Sequence, residues 1–287
     1  MESAAGWGVV LPRADRLAGV RMAGFRDGGA GQVDVRVVPH PAVSMVFEFG
    51  AGPLVVDARS GREERGNLAV GYLHSAVRVR GRAVECVQVR LSPTVAYAVL
   101  GVSPAELDHL AVTLDDLWGR DAAQLRERLG DARSWSERFD LVESVLARRC
   151  AAGPTVDPEV AWAWSRITGS GGRVRVDGLA ADLGWSRRRL WSRFRAQIGL
   201  PPKRAAKLVR FDRAVHRLAA GGDPAGTAAA GGYVDQSHLH RDVQELTGMT
   251  PGGVASEVWL AVDALAWPAT GRAPSPSGAP PRGPAGP

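Results

Sequence analysis

From Val33 onward, apolar and polar positions alternate with period two. Val33, Val35 and Val37 share one side against Asp34 and Arg36, and Val43, Met45, Phe47 and Phe49 share another against Ser44 and Glu48. Val77 and Val79 alternate with Arg78 and Arg80, and Val87, Val89 and Leu91 with Gln88 and Arg90. Leu54-Val55-Val56 is a short apolar run, and Gly50-Ala51-Gly52-Pro53 and Ser60-Gly61-Arg62 punctuate the series. Short alternating runs bounded by turn residues predict antiparallel strands in a small barrel or sandwich. The first ~30 residues are rich in Gly and Ala without a period, and no element is read there.

Past residue 102 the period becomes helical. Ser103-Pro104-Ala105-Glu106 has the form of a capping box with Pro at the first helical position. Leu114 to Trp118 and Ala122 to Leu129 read as short helices, the second stopped by Gly130. Trp135, Phe139, Val142 and Leu146 form one apolar stripe on a helix spanning 134–150. The stripe leaves two uses open: packing on the chain's own barrel, or pairing with a second copy. Ala151-Ala152-Gly153-Pro154-Thr155 is a linker.

Beyond it, Val160, Trp164 and Ile167 open a second domain. Val176, Leu179, Ala180 and Leu183 mark a helix with Asp177 as its expected cap, and Ser186 caps the next one, whose inner face is Leu190, Phe194 and Ile198. Lys203 to Ala219 is a connecting helix about 25 Å long. Gly232 suits a turn at φ > 0, Asp235 caps a further helix, and Leu239, Val243 and Leu246 form its inner face. After Pro268 only Pro, Gly, Ala, Ser, Thr and Arg remain, a composition that predicts disorder.

Two stretches of this domain repeat in register. Ala180 stands four before Gly184 as Ala228 does before Gly232, and Trp185 and Tyr233 follow those glycines. Gly199 and Gly248 each come nine after Leu190 and Leu239, with Pro202 and Pro251 three further on. Each reads as a helix-turn-helix whose second helix has an apolar back and a polar front. A wheel at about 100° per residue places Arg188, Trp191, Ser192 and Arg195 on the first front; Ser237, His240, Arg241 and Gln244 occupy the second.

Charge sharpens this reading. The chain carries +6 overall, while 166–217 holds fourteen basic and three acidic residues, +11, which leaves −5 for the rest. A basic block on the helix-turn-helix pattern is an electrostatic footprint for DNA.

The string Leu179-Ala180-x-x-Leu183-Gly184-Trp185-Ser186, Leu190-x-x-x-Phe194, Gly199-x-x-Pro202, Arg210-Phe211-x-x-Ala214 and Gly232-Tyr233-x-Asp235-Gln236-Ser237-His238-Leu239 resembles the AraC family of transcriptional regulators over 158–255. It departs at Val243, where the family usually has Phe, and at the glycines of Ala225-Gly226-Thr227-Ala228-Ala229-Ala230-Gly231. The resemblance implies two recognition helices in successive major grooves of double-stranded DNA. It assigns base contacts to Arg188, Trp191 and Ser192 in the first unit, and to Gln236, Ser237, His240 and Arg241 in the second. Arg187, Arg195 and Lys207 are expected on phosphates. It also implies a cupin-like effector domain before them, and a dimer helix at 134–150.

The expected fold is therefore α+β. A small antiparallel, cupin-like barrel over 1–102 is followed by a helical segment over 103–152, a tandem helix-turn-helix domain over 157–267 and a disordered tail over 268–287. Met45, Phe47, Phe49, Val77 and Val79 are the candidate walls of an effector pocket. Cys86 and Cys150 suggest neither metal nor disulfide, and His40, His74 and His109 lack the clustering of a metal-binding cupin, so no cofactor, metal or catalysis is expected. No secretory signal or membrane-length apolar run is seen, and a cytoplasmic location is expected. Two other readings stay open: a cupin-type enzyme or repair protein fused to a DNA-binding domain, and a ligand-independent DNA-binding dimer. RNA polymerase stays open as a partner.

Overall fold

Residues 2–4, 6–27, 32–57, 63–107 and 111–268 are described in a computed structural model of the chain. The expected tail from 269 on, the turn at Ser60 to Arg62 and His109 lie outside them.

The first half holds strands β1 (Glu2–Ala4), β2 (Trp7–Val10), β3 (Val20–Asp27), β4 (Gln32–Val37), β5 (Val43–Glu48), β6 (Val55–Asp57), β7 (Glu63–Arg65), β8 (Leu68–Val70), β9 (Val77–Arg82) and β10 (Glu85–Leu91), then helix α1 (Pro93–Leu100), a 3-10 turn at Pro104–Leu107, and β11 (Ala111–Thr113). All pairings are antiparallel. One sheet runs β1-β2-β3-β10-β5-β8-β11 and the other β4-β9-β6-β7. Helices α2 (Leu114–Trp118), α3 (Arg120–Asp131) and α4 (Trp135–Ala152) complete the N-terminal domain.

The larger sheet has two buried faces, and this decides where its side chains go. Met45, Phe47, Val87, Val89 and Leu91 join the core shared with α1 to α4. The opposite face, with Ser44, Val46, Cys86 and Gln88, looks toward the smaller sheet, which contributes Val35, Val56, Val77 and Val79. The five expected pocket walls are thus not brought together. Met45 and Phe47 lie on the helix side, and Phe49 packs edge-on against Trp135 at 5.5 Å. Val77 and Val79 lie on the other side of the sheet, inside the barrel. Alternation located the strands, but the more apolar face turned toward the helices because that layer is the larger one to fill.

The α4 stripe is used within the chain. Ser134 Oγ accepts from the Glu137 amide at the helix start, and Phe139, Val142 and Leu146 are buried with the sheet and α1. Trp135 lies over Gly24 of β3. Of the two uses left open for the stripe, the structure shows packing within the chain.

The second half is helical: α5 (Pro158–Gly169), α6 (Val176–Asp182), α7 (Arg187–Ile198), α8 (Pro202–Ala219), α9 (Pro224–Gly231), α10 (Gln236–Thr247), α11 (Pro251–Ala255) and α12 (Val258–Ala266). After α11, α12 crosses back to the barrel, where Trp259 meets Trp7 edge-on and Phe25 at a tilt. Among the described residues no helix is long and apolar enough to cross a membrane.

Candidate nucleic-acid interface

Both recognition helices start where local chemistry dictates. Ser186 Oγ accepts from the Arg189 amide at the start of α7, and Asp235 Oδ1 accepts from the His238 amide at 2.7 Å at the start of α10. Each satisfies an amide that the first helical turn leaves without a partner. Gly232 sits at φ 71°, the left-handed turn expected between α9 and α10, and the atoms nearest an added Cβ there belong to the Arg173 side chain. Asp177 does not cap α6. Arg175 holds the cap position without a side-chain bond, and Asp177 lies in the first turn with its carboxylate 2.9 Å from Arg187.

The inner faces are buried as the periodicity requires: Leu190, Phe194 and Ile198 in α7, and Leu239, Val243 and Leu246 in α10. Outward, Arg187, Arg188, Trp191, Ser192 and Arg195 are exposed on the first helix, and Gln236, Ser237, His240 and Arg241 on the second. Trp191 is 48% exposed. Its ring lies under the Arg195 guanidinium at 5.4 Å, while Trp185 takes Arg189 at 4.6 Å, so the two indoles have separate partners. Trp191 and the α10 residues His238, Asp242 and Glu245 border one groove of about 940 Å³, with Arg173, Arg175, Lys203 and Arg204 along it.

Lys207 is the exception among the expected contacts. Its ammonium lies 3.2 Å from Asp242 and 2.7 Å from Glu245, both on α10. Arg210, one turn on, lies 3.1 Å from the same Asp242, which is 5% exposed. With two carboxylates already on it, Lys207 ties α8 to α10 rather than standing free for a phosphate. Sequence reading missed Asp242, although its place beside Val243 on the flank facing Lys207 and Arg210 of α8 was a readable signal.

A second tie comes from the N-terminal domain. Between β8 and β9, the Tyr72 hydroxyl donates to the Ile198 carbonyl at 2.8 Å, and the Ala76 amide donates to the Leu246 carbonyl at 3.0 Å. One loop thus holds the C-terminal ends of both recognition helices. Ser103 Oγ adds a bond to the Ala196 carbonyl. Among the described residues no cluster of three His, Cys, Asp or Glu side chains is placed to hold a metal ion.

The family model of a helix-turn-helix domain matches residues 179–256. No curated protein matches the chain. Among solved structures, an apo lysine-to-alanine variant of ToxT from Vibrio cholerae is similar over 85% of this chain and 100% of its own, at 12% identity and a TM-score of 0.45. ToxT bound to an unsaturated fatty acid gives 84%, 96%, 10% and 0.42 for the same measures. The AraC-like transcriptional activator CuxR gives 91%, 88%, 13% and 0.20.

Proposed function

We propose, from the premise that the C-terminal domain is an AraC-type helix-turn-helix domain, that this transcription regulator reads one DNA duplex with α7 and α10 in successive major grooves. The observation that carries the reading is the pair of exposed polar faces on two helices with buried apolar backs. Two capped helices carry exposed hydrogen-bonding faces, Arg188 and Ser192 on α7 and Gln236, Ser237, His240 and Arg241 on α10, and α8, 18 residues or about 27 Å long, joins the two units. That length is in keeping with the ~34 Å between successive major grooves on one side of a duplex.

Roles follow from side-chain chemistry. Arg188 suits bidentate contact with guanine O6 and N7, and Gln236 with adenine N6 and N7. Ser192, Ser237, His240 and Arg241 supply further donors and acceptors, and Trp191 offers an apolar edge to a thymine methyl or sugar. Arg187 and Arg195 anchor phosphates, which position the protein without reading sequence.

The test is a salt titration of binding to a duplex selected from a random library and to its scrambled counterpart. Arg188→Ala should cost about 1–3 kcal/mol on the selected duplex and much less on the scrambled one. Arg195→Ala should weaken both alike and lower the salt slope by about 1, since one fewer counterion is released. Equal losses on both duplexes for Arg188→Ala would make that residue a phosphate contact, and the first unit's specificity would then fall to Trp191 and Ser192.

A further inference from the structure

The space between the two sheets is closed by a segment that arrives after the DNA-binding domain. Trp259 of α12 is 6% exposed. Its ring centroid lies 6.0 Å from that of Trp7 and 5.6 Å from that of Phe25, so the strands provide a seat for a flat aromatic group. Beside it remains a cavity of about 70 Å³, which His40, Ser44 and Gln88 make polar on one side and valines and leucines make apolar on the others. An apolar cavity of about 150 Å³ is known to take a benzene. With α12 in place the space left is about half of that; removing the indole opens room for a ring of its size.

The seat is also left with polar groups to satisfy. His40 is 8% exposed, and its Nε2 meets Ser44 Oγ at 3.2 Å. Its Nδ1 is buried without a hydrogen-bond partner among the described residues, and so is the Trp259 indole nitrogen. A buried polar atom without a partner is a cost that a better-matched occupant removes.

We infer that α12 is an exchangeable occupant of the barrel. Trp259 fills the seat of a planar, mostly apolar ligand of about indole size, carrying one hydrogen-bonding group for the His40, Ser44 and Gln88 side. Exchange has a consequence one helical turn away. Asp263 of α12 pairs with Arg90 of β10 and lies 2.9 Å from His216 Nε2 of α8. When the ligand takes the seat, α12 leaves, Asp263 leaves with it, and α8 loses its anchor to the barrel.

Indole is the probe, with the full chain and no DNA, so the outcome is independent of the reading of the interface. Trp259→Ala should bind indole at least tenfold more tightly than the unaltered chain, seen as a larger rise in melting temperature at equal indole. In the unaltered chain, saturating indole should raise hydrogen exchange across 258–266 while the strands stay protected. This second measurement stands even where Trp259→Ala does not fold. Equal or absent indole binding by the two chains would overturn the proposal, as would unchanged or increased protection of 258–266 at saturation.

Discussion

Asp263→Ala should lower the stability of the folded chain by about 3–5 kcal/mol, the cost of stripping one partner from a buried ion pair. Asp263 is 3% exposed and binds Arg90 through both oxygens, and Arg90 also stacks on Trp267 at 4.6 Å. Without the carboxylate, a guanidinium whose side chain is 12% exposed stays buried without its counter-charge. Chemical denaturation measures the loss. Arg90→Leu with Asp263→Leu should recover most of it, because replacing both charges removes the stranded one. A loss under 1 kcal/mol for the single variant would show that α12 contributes little to the fold.

The same cluster makes stability depend on pH with a sign that can be worked out. Burial alone would depress His216, but the hydrogen bond to Asp263 and the charges of Asp212 and Asp263 outweigh it and raise the imidazole to about 9. Its contribution is complete below the unfolded value of about 6.5 and is lost as pH rises through 9. His40 behaves oppositely. Burial, with Arg90 and His216 nearby, holds it down to about 3, so its contribution is present above about 6.5 and is lost as pH falls toward 3. Together these two histidines favour the folded chain most near pH 6.5. His216→Asn should flatten the alkaline side alone, which denaturation at a series of pH values would show.

What could be read from the sequence was what local chemistry decides. Ser186 and Asp235 cap the helices they were expected to cap, and the inner faces of α7 and α10 follow from spacing. Features set by several layers at once were hidden. In β3, Met22 faces the helical core while Ala23 and Phe25 face the barrel, so no alternation was visible. The barrel side of β5 and β10 carries Ser44, Gln88 and Arg90, which look like surface until their partners His40 and Asp263 arrive from elsewhere in the chain. In α12, apolar residues surround the helix because it is wedged among strands and α8, so no face marked its destination.

Gly172→Ala and Gly178→Ala should move stability in opposite directions, although the substitution is the same. Gly172 follows the end of α5 at φ 75° and is buried against α8. A Cβ there would lie 2.1 Å from the Ala206 carbonyl oxygen and 2.9 Å from the Arg210 amide nitrogen, backbone atoms that cannot swing aside. Left-handed strain and overpacking together should cost about 2–5 kcal/mol. Gly178 lies exposed in α6 with nothing near the site of a Cβ, and alanine there should stabilise the helix by up to about 1 kcal/mol. Because α5 seats the first helix-turn-helix unit on α8, Gly172→Ala should also change the placement of α7 relative to α10. Affinity should then fall more on a duplex carrying both half-sites than on one carrying only the second. Melting curves and binding to the two duplexes measure both effects. Equal losses on the two duplexes would show that the units bind independently and that α8 does not set their spacing.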